Sequence, residues 1–222
     1  MHNLQVDEKK ICFISCVNDD YAAQESLYYI SRLRVPEGFT VDTIQIKEAK
    51  SMTSGYNEAM NATDAKYKVY LHQDVLIINQ NFITDLLEIF KNKEIGMVGM
   101  VGSPHMPESK IMWNALRVGG LYSHNNYETT RADMDNNADA HYFEVEAVDG
   151  FLMATQYDLP WREDIFKGWD FYDVSQSYEF RNHGYKVATP HQNPPWCLHD
   201  DGFLNLKEYY KTRRLFRETY QV

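Results

Sequence analysis

Apolar and polar positions alternate along this chain in a way that alternates strands with helices. Residues 11–17 form an apolar run set between Lys9-Lys10 and Asn18-Asp19-Asp20, the pattern of a strand buried on both faces that ends in a loop. Leu27, Ile30 and Leu33 recur about one turn apart and predict a helix over 21–33, which Pro36-Glu37-Gly38 ends. Residues 39–46 alternate and are rich in β-branched side chains, so they predict a second strand. The chain therefore opens β-α-β, the start of a right-handed parallel sheet. Ser54 is placed to cap a short helix over 56–63. A third strand is expected at 67–71, an amphipathic helix at 81–92 with Phe82, Leu86, Ile89 and Phe90 on one face, and another strand at 95–101.

The pattern then breaks. Residues 103–141 are rich in Asn, Asp, His, Ser and Gly, keep no period, and predict an irregular excursion over the functional edge of the sheet, with a short strand near 111–118. Strand character returns at 144–155. A helix over 173–184 closes on a glycine, a last strand follows at 185–189, and 203–220 predicts a terminal helix. The fold class expected is α/β: one domain built on a mostly parallel nucleotide-binding sheet flanked by helices. Its parts are a nucleotide-binding half (1–101), an acceptor and catalytic half (102–202) and a C-terminal helix (203–222).

Composition narrows the function classes. The 222 residues carry a net charge of −10, which excludes a general nucleic-acid binder, because phosphate contacts need a basic face. An anionic ligand would need a local counter-charge such as a metal ion. The three cysteines, Cys12, Cys16 and Cys197, cannot all pair and lack metal-ligand spacing, as in a reduced, cytoplasmic protein. Residues 1–10 are polar and charged, unlike a signal peptide, and no apolar run reaches the ~18 residues of a spanning helix. The expectation is a soluble protein, at most touching the inner face of a membrane. The segment 207–217, with Lys207, Lys211, Arg213, Arg214 and Arg217 among Tyr209, Tyr210, Leu215 and Phe216, suits either weak peripheral membrane contact or plain packing on the domain, and packing is preferred.

Three clusters carry candidate chemistry. In Leu71-His72-Gln73-Asp74, side-chain alternation along a strand would point His72 and Asp74 the same way, into the crevice where α/β sheets bind ligands. An aspartate there can hold a divalent cation through oxygen; the alternative is a strand exit whose Asp74 only caps the next element. In 168–174, Asp170 and Asp173 flank a helix start. One would cap it, and the other would project as a general base beside Trp169, Phe171 and Tyr172. His199 follows Pro190, Pro194 and Pro195 on a return toward the same edge, and a neutral imidazole is a competent metal ligand.

In order and spacing these clusters resemble the family-2-like glycosyltransferases with the GT-A fold, in particular a small group with His-x-Asp in place of Asp-x-Asp, over nearly the whole chain. The resemblance implies that 11–18, with Ser15, Val17 and Asn18, is the first strand and nucleotide-contacting loop. It implies that Ser54 and Asn57 open the helix beside the nucleotide, and that Gln45 lies where many relatives carry an Asp for the base, with Lys47 and Glu48 nearby. His72 and Gln73 would face the nucleotide or sugar rather than the metal, and Asp74 with His199 would hold Mn or Mg. Asp149 and Gly150, with Trp113 and Trp169, would line the donor-sugar and acceptor side. Asp173, or else Asp170, would be the base. The activity implied is inverting transfer from a nucleotide-diphosphate-sugar, uracil being the family's commonest base, to a saccharide or lipid-linked hydroxyl. Trp113, Arg117, Tyr122 and His124 are further candidate contacts. Ser175 departs from the family, which often carries an acid there. Two rival readings are a non-catalytic nucleotide-sugar-binding module and a nucleotidyltransferase; the acidic residues 18–20 disfavour the latter, which needs a basic Gly-rich loop.

Overall fold

In a computed structural model of the chain, residues 5–125, 127–134, 141–200, 202 and 206–222 are described. Strand β1 (Asp7–Val17) buries its apolar run and is followed by α1 (Asp20–Ser31), whose start is capped by the Asp19 carboxylate accepting from the amides of Tyr21 and Ala22. Then come β2 (Thr40–Lys47), α2 (Met52–Ala62), β3 (Ala65–Leu71), β4 (Val75–Ile77), α3 (Phe82–Ile89), β5 (Ile95–Gly99) and β6 (Val101–Ser103). A 3₁₀ turn at Met112–Asn114 leads to β7 (Val118–Asn125) and β8 (Glu128–Asp133). The remainder is β9 (Tyr142–Val145), β10 (Ala147–Val148), β11 (Leu152–Thr155), α4 (Tyr172–Asn182), β12 (Lys186–Pro190), β13 (Cys197–His199) and α5 (Tyr209–Tyr220).

The central sheet has the order β2-β1-β3-β11-β5-β12-β9. Its neighbours β2, β1 and β3 are parallel, as are β5 and β12, while β11 and β9 run against them. The expected α/β class and mostly parallel sheet are therefore present, and strands from both halves of the chain share that sheet. Its two faces are filled by clusters around Phe13, Val69, Phe82 and Phe90 on one side and Tyr56, Tyr70, Trp161 and Phe180 on the other.

Several local expectations are corrected. The stretch near 111–118 is a 3₁₀ turn rather than a strand, and the segment read as irregular holds the β7–β8 hairpin, in register from Gly120↔Asp133 to Asn125↔Glu128; positions 126 and 135–140 of that segment lie outside the described residues. The run 95–101 is split, with Met100 between β5 and β6, and 144–155 divides among three strands. Helix α2 starts at Met52 and its cap is Ser51: the Ser51 hydroxyl accepts from the Ser54 amide and Ser54 reciprocates, so Ser54 is the third residue of a capping box. Helix α4 closes as expected on Gly184, at φ 84°. The terminal helix begins at Tyr209; residues 203–205 of the expected span lie outside the described ones.

A second sheet, in the order β10-β6-β7-β13-β4 with β8 beside β7, stands against the end of β3. Both β4 and β13 are three residues long, too short to show a period, yet their antiparallel register sets His199 opposite Val75. This pairing carries His199 to Asp74, and the amide of Asp200 donates to the Asp74 carbonyl at 3.0 Å.

Candidate functional site

His72, Gln73 and Asp74 occupy a turn rather than a strand end: β3 stops at Leu71, and the amide of Val75 donates to the His72 carbonyl at 3.3 Å. The turn reverses the chain into β4, and that reversal brings both side chains together where strand alternation had been expected to do so. His72 Nδ1 lies 3.3 Å from His199 Nε2, which lies 3.4 Å from Asp74 Oδ1. One ligand atom from each of His72, Asp74 and His199 falls within 4.8 Å of the others. His72, expected to face ribose or sugar, thus belongs to the same cluster as the two residues expected to hold a cation.

The chemistry of this donor set fits a divalent ion. Asp74 Oδ1 is buried and, among the described residues, accepts no hydrogen bond of good geometry, its approach to His199 being an ion-pair contact only. A buried, unsatisfied carboxylate oxygen is costly unless something cationic completes it. Burial opposes ionisation of Asp74, but the contact with His199 and the charges of His199 and His72 outweigh it and hold the carboxyl below its ordinary range. Burial, and then the charge of His199, lower His72 to about 4, so its ring is neutral and has a lone pair to give. His72 Nε2 is hydrogen-bonded to the Tyr172 hydroxyl. If Nε2–H donates to that oxygen, Nδ1 is left free as a ligand, the usual orienting arrangement for a metal-bound imidazole.

Tyr172 reaches His72 because residue 150 is glycine: a Cβ there would stand 2.2 Å from the Tyr172 hydroxyl. Nothing in the local sequence marks Tyr172 beyond its place between the two candidate aspartates. It opens α4 after Phe171, which has a left-handed backbone at φ 61°. That conformation is strained for an aromatic residue, and packing holds it: Phe171 is buried with its ring 4.8 Å from Tyr209 and 5.3 Å from Phe216 of α5. The kink sets Asp170 and Asp173 at the entrance of the helix, where Asp173 Oδ1 accepts from the Val174 amide at 2.8 Å. Burial, and then the charge of Asp149, push the Asp173 carboxyl up to about 7. Burial, then Glu208, also raise Asp170. Ser175, the departure from the family pattern, is buried and bonds the Tyr220 hydroxyl at 2.8 Å, so it serves the packing of α5.

Two cavities meet at the cluster, and both touch His72, Asp74 and Trp169. The smaller, about 290 Å³, is also lined by Cys16, Val17, Asn18, Glu48, Ala49, Met52 and Gln73. Gln73 ties this floor together: its Oε1 accepts from the amides of Asn18 and Asp19 at 2.8 and 2.9 Å. The larger, about 660 Å³, takes in Trp113, Asp149, Gly150, Asp170, Asp173 and His199, with Tyr172, Tyr209 and Tyr210. Both volumes suit small-molecule sites. A third cavity, of about 540 Å³, lies apart; of its three cations, Lys110, Arg181 and Lys186, the last two already face Glu146, Glu94 and Glu144.

Four expected contacts do not line either of the two joined cavities. Ser15 is buried in β1 beside Gln45 of β2, in register. Ser54 is used by the capping box, and Asn57 is used by Trp161, to whose carbonyl it donates at 2.9 Å and from whose amide it accepts at 2.8 Å. Of the further contacts considered, Arg117 lines the larger cavity, whereas Tyr122 does not, and His124 bonds Thr129 at 2.7 Å. Glu48 reaches the smaller cavity from a left-handed backbone position, φ 59°, just past β2.

Comparison with known proteins agrees with this architecture. A family model described as "Glycosyltransferase like family" matches residues 12–220. No curated protein sequence matches the chain. Among solved structures, the mannosyltransferase PcManGT from Pyrobaculum calidifontis, in complex with GDP-Man and Mn2+, superposes with a TM-score of 0.57 at 14% identity over 96% of this chain. S. aureus TarS 1–349 gives 0.59 at 8% identity over 94% of the chain, and its complex with UDP-GlcNAc gives 0.55 at 9% over 95%. The chain spans just under two thirds of these proteins, 64%, 64% and 66%. At such identities the likeness is one of fold.

Proposed function

The chain belongs to the glycosyltransferase-like family, of the family-2-like type with the GT-A fold, and from that premise we propose that it transfers a sugar, with inversion, from a nucleotide-diphosphate-sugar to an acceptor hydroxyl. The observation that carries the reading is the junction of two cavities at His72, Asp74 and His199, with Asp173 facing the larger one. Asp74 and His199 would hold Mn or Mg, and His72, oriented by Tyr172, would be a third ligand. When bound, the cation supplies charge neutralisation for the departing diphosphate. This also answers how a chain of net charge −10 takes a diphosphate.

The residues of the chain divide the remaining work. The smaller cavity takes the nucleotide, proposed to be UDP, with Val17, Asn18 and Gln73 on its floor, and Glu48 rather than Gln45 beside the base or ribose. Asp149, Gly150 and Trp169 border the sugar, and Trp113 borders the acceptor. Asp173 accepts the proton of the attacking hydroxyl: its carboxyl titrates at about 7, close to working pH, where a base is strong enough to act and still ionised. Asp170, farther along the same wall, is the second choice. Attack from the face opposite the diphosphate inverts the anomeric configuration.

The test is incubation with UDP-glucose, UDP-galactose and UDP-N-acetylhexosamines plus Mn2+, followed by UDP release. Asp74→Ala is expected to abolish both turnover and Mn2+-dependent UDP binding measured by calorimetry. Unchanged binding in that variant would refute the metal placement. Mn2+-dependent UDP binding without release from any donor in the wild type would favour a non-catalytic binding module.

A further inference from the structure

Among the described residues, the larger cavity carries four aspartates, Asp74, Asp149, Asp170 and Asp173, but a single side chain of fixed positive charge, Arg117. Arg117 lies between the 3₁₀ turn at Met112–Asn114 and β7, and it is half-buried. Among the described residues its side chain has no hydrogen bond and no ion pair, unlike Lys10 on Asp64 or Arg162 on Asp164 and Glu179; the half-buried Lys110 and Arg213 share that condition but line neither of the two joined cavities. A guanidinium withdrawn from water without an acceptor loses hydration that nothing returns, while its planar fork matches carboxylate or phosphate. Trp113 lines the same cavity, 43% exposed, with its ring tilted at 33° to that of Tyr209 and their centroids 4.7 Å apart, so aromatic surface stays open to the cavity. An aromatic face beside a fixed charge is suited to a sugar ring or polyol bearing an anionic group.

We propose that Arg117 is a specificity-determining residue that binds an oxyanion, carboxylate or phosphate, on the acceptor. This rests on the glycosyl-transfer reading and names the acceptor class for it. The placement favours the acceptor over the diphosphate of the donor, since Arg117 lines only the cavity that contains Asp173 and has no part in the one lined by Asn18, Gln73 and Glu48. The four aspartates then act as a filter: an anionic acceptor is repelled everywhere in the cavity except at Arg117, which fixes the end from which its hydroxyl must approach the base.

The test compares matched probes by calorimetry, with and without Mn2+ and UDP: methyl β-D-glucuronide against methyl β-D-glucoside, and sn-glycerol 3-phosphate against glycerol. The wild type should bind the anionic member of at least one pair roughly tenfold or more tighter, with a preference that weakens as KCl rises; the pair that separates identifies carboxylate or phosphate. Arg117→Gln should erase the preference and Arg117→Lys should retain part of it, with thermal melting showing that both variants fold. Equal or absent binding of both members of both pairs by the wild type overturns the proposal, as does an unchanged preference in Arg117→Gln. A tenfold loss of UDP affinity in Arg117→Gln with the probe preference intact also overturns it and assigns the residue to the donor diphosphate. Failure of the wild type to bind UDP with Mn2+ sinks the glycosyl-transfer reading instead, and the nucleotide-free titrations still decide whether Arg117 selects anions.

Discussion

Replacing Asp173 by Asn separates the cost of holding this carboxylate from the use made of it. In the unfolded chain the carboxyl titrates near its ordinary value, ~3.9, whereas in the fold burial and the charge of Asp149 raise it to about 7. Between roughly pH 4 and pH 7 the unfolded chain has therefore released a proton that the folded chain keeps. The folded state binds more protons, so stability falls as pH rises through this window and levels off above it. The whole effect amounts to at most about 4 kcal/mol, from the gap between the two titrations at ~1.4 kcal/mol per tenfold in proton affinity. Asn is nearly the same size and carries no charge, so Asp173→Asn should match the wild type near pH 4 and exceed it by a few kcal/mol at pH 8, on the order of several degrees in Tm. Urea unfolding at both pH values, with chelator present, measures the gap. Turnover should move the other way. Loss of the base costs ~10²–10⁴ in rate, and the wild-type kcat/KM should climb through about pH 7 as the carboxyl ionises. A stability gap that does not widen between pH 4 and pH 8 would refute the burial argument, and a variant with near wild-type turnover would refute the role as base.

Two further substitutions probe the scaffold of the site. Gly150→Ala places a methyl group 2.2 Å from the Tyr172 hydroxyl, so the ring must move and its bond to His72 must break. Loss of such an orienting partner typically weakens a metal site 10–100-fold, which Mn2+ calorimetry reads directly; unchanged affinity would remove Tyr172 and His72 from the site. Phe216→Ala empties a fully buried position packed against Phe166, Phe171 and Tyr178 and should cost ~3–5 kcal/mol in urea unfolding. Because Phe216 also helps to hold Phe171 in its strained conformation, acceptor turnover should fall along with stability; a stable variant would mean that α5 adds little to the wall.

What was readable in the sequence follows from how much of each element is set by its own residues. Strands β1, β3 and β5 sit inside the sheet and show as apolar runs, β2 at the sheet's edge shows as an alternating run, and α3 shows its buried face at Phe82, Ile83, Leu86 and Ile89. The hairpin β7–β8 did not show, because Ser123, His124, Thr129 and Thr130 satisfy each other across the ladder rather than through a core. The strands β4 and β13 exist only through their mutual pairing, which no run of three residues encodes alone. The same limit applied to the site. Asp74, Asp173 and His199 were found as types of residue in an order, but His72 as a companion of the candidate metal ligands depended on a turn, and Tyr172 depended on a glycine 22 positions earlier in the chain. Asn57 shows the converse: a polar side chain at a plausible place is consumed by the backbone of Trp161.

The arrangement also constrains how the two aspartates of the larger cavity share their task. Burial, and then the charge of Asp149, push the Asp173 carboxyl up to about 7. Any positive charge entering near Asp149, such as a bound cation, changes the balance that sets this value. A cation at His72, Asp74 and His199 lies on the same side as Asp149, whose charge already reaches His72. Binding of metal and donor should therefore lower the Asp173 carboxyl toward full ionisation at neutral pH, arming the base only once the sugar is in place. With no cation or donor bound, the same carboxyl is largely protonated below pH 7. Burial around Asp173 then keeps the proposed base close to the pH at which a neighbouring charge decides its state.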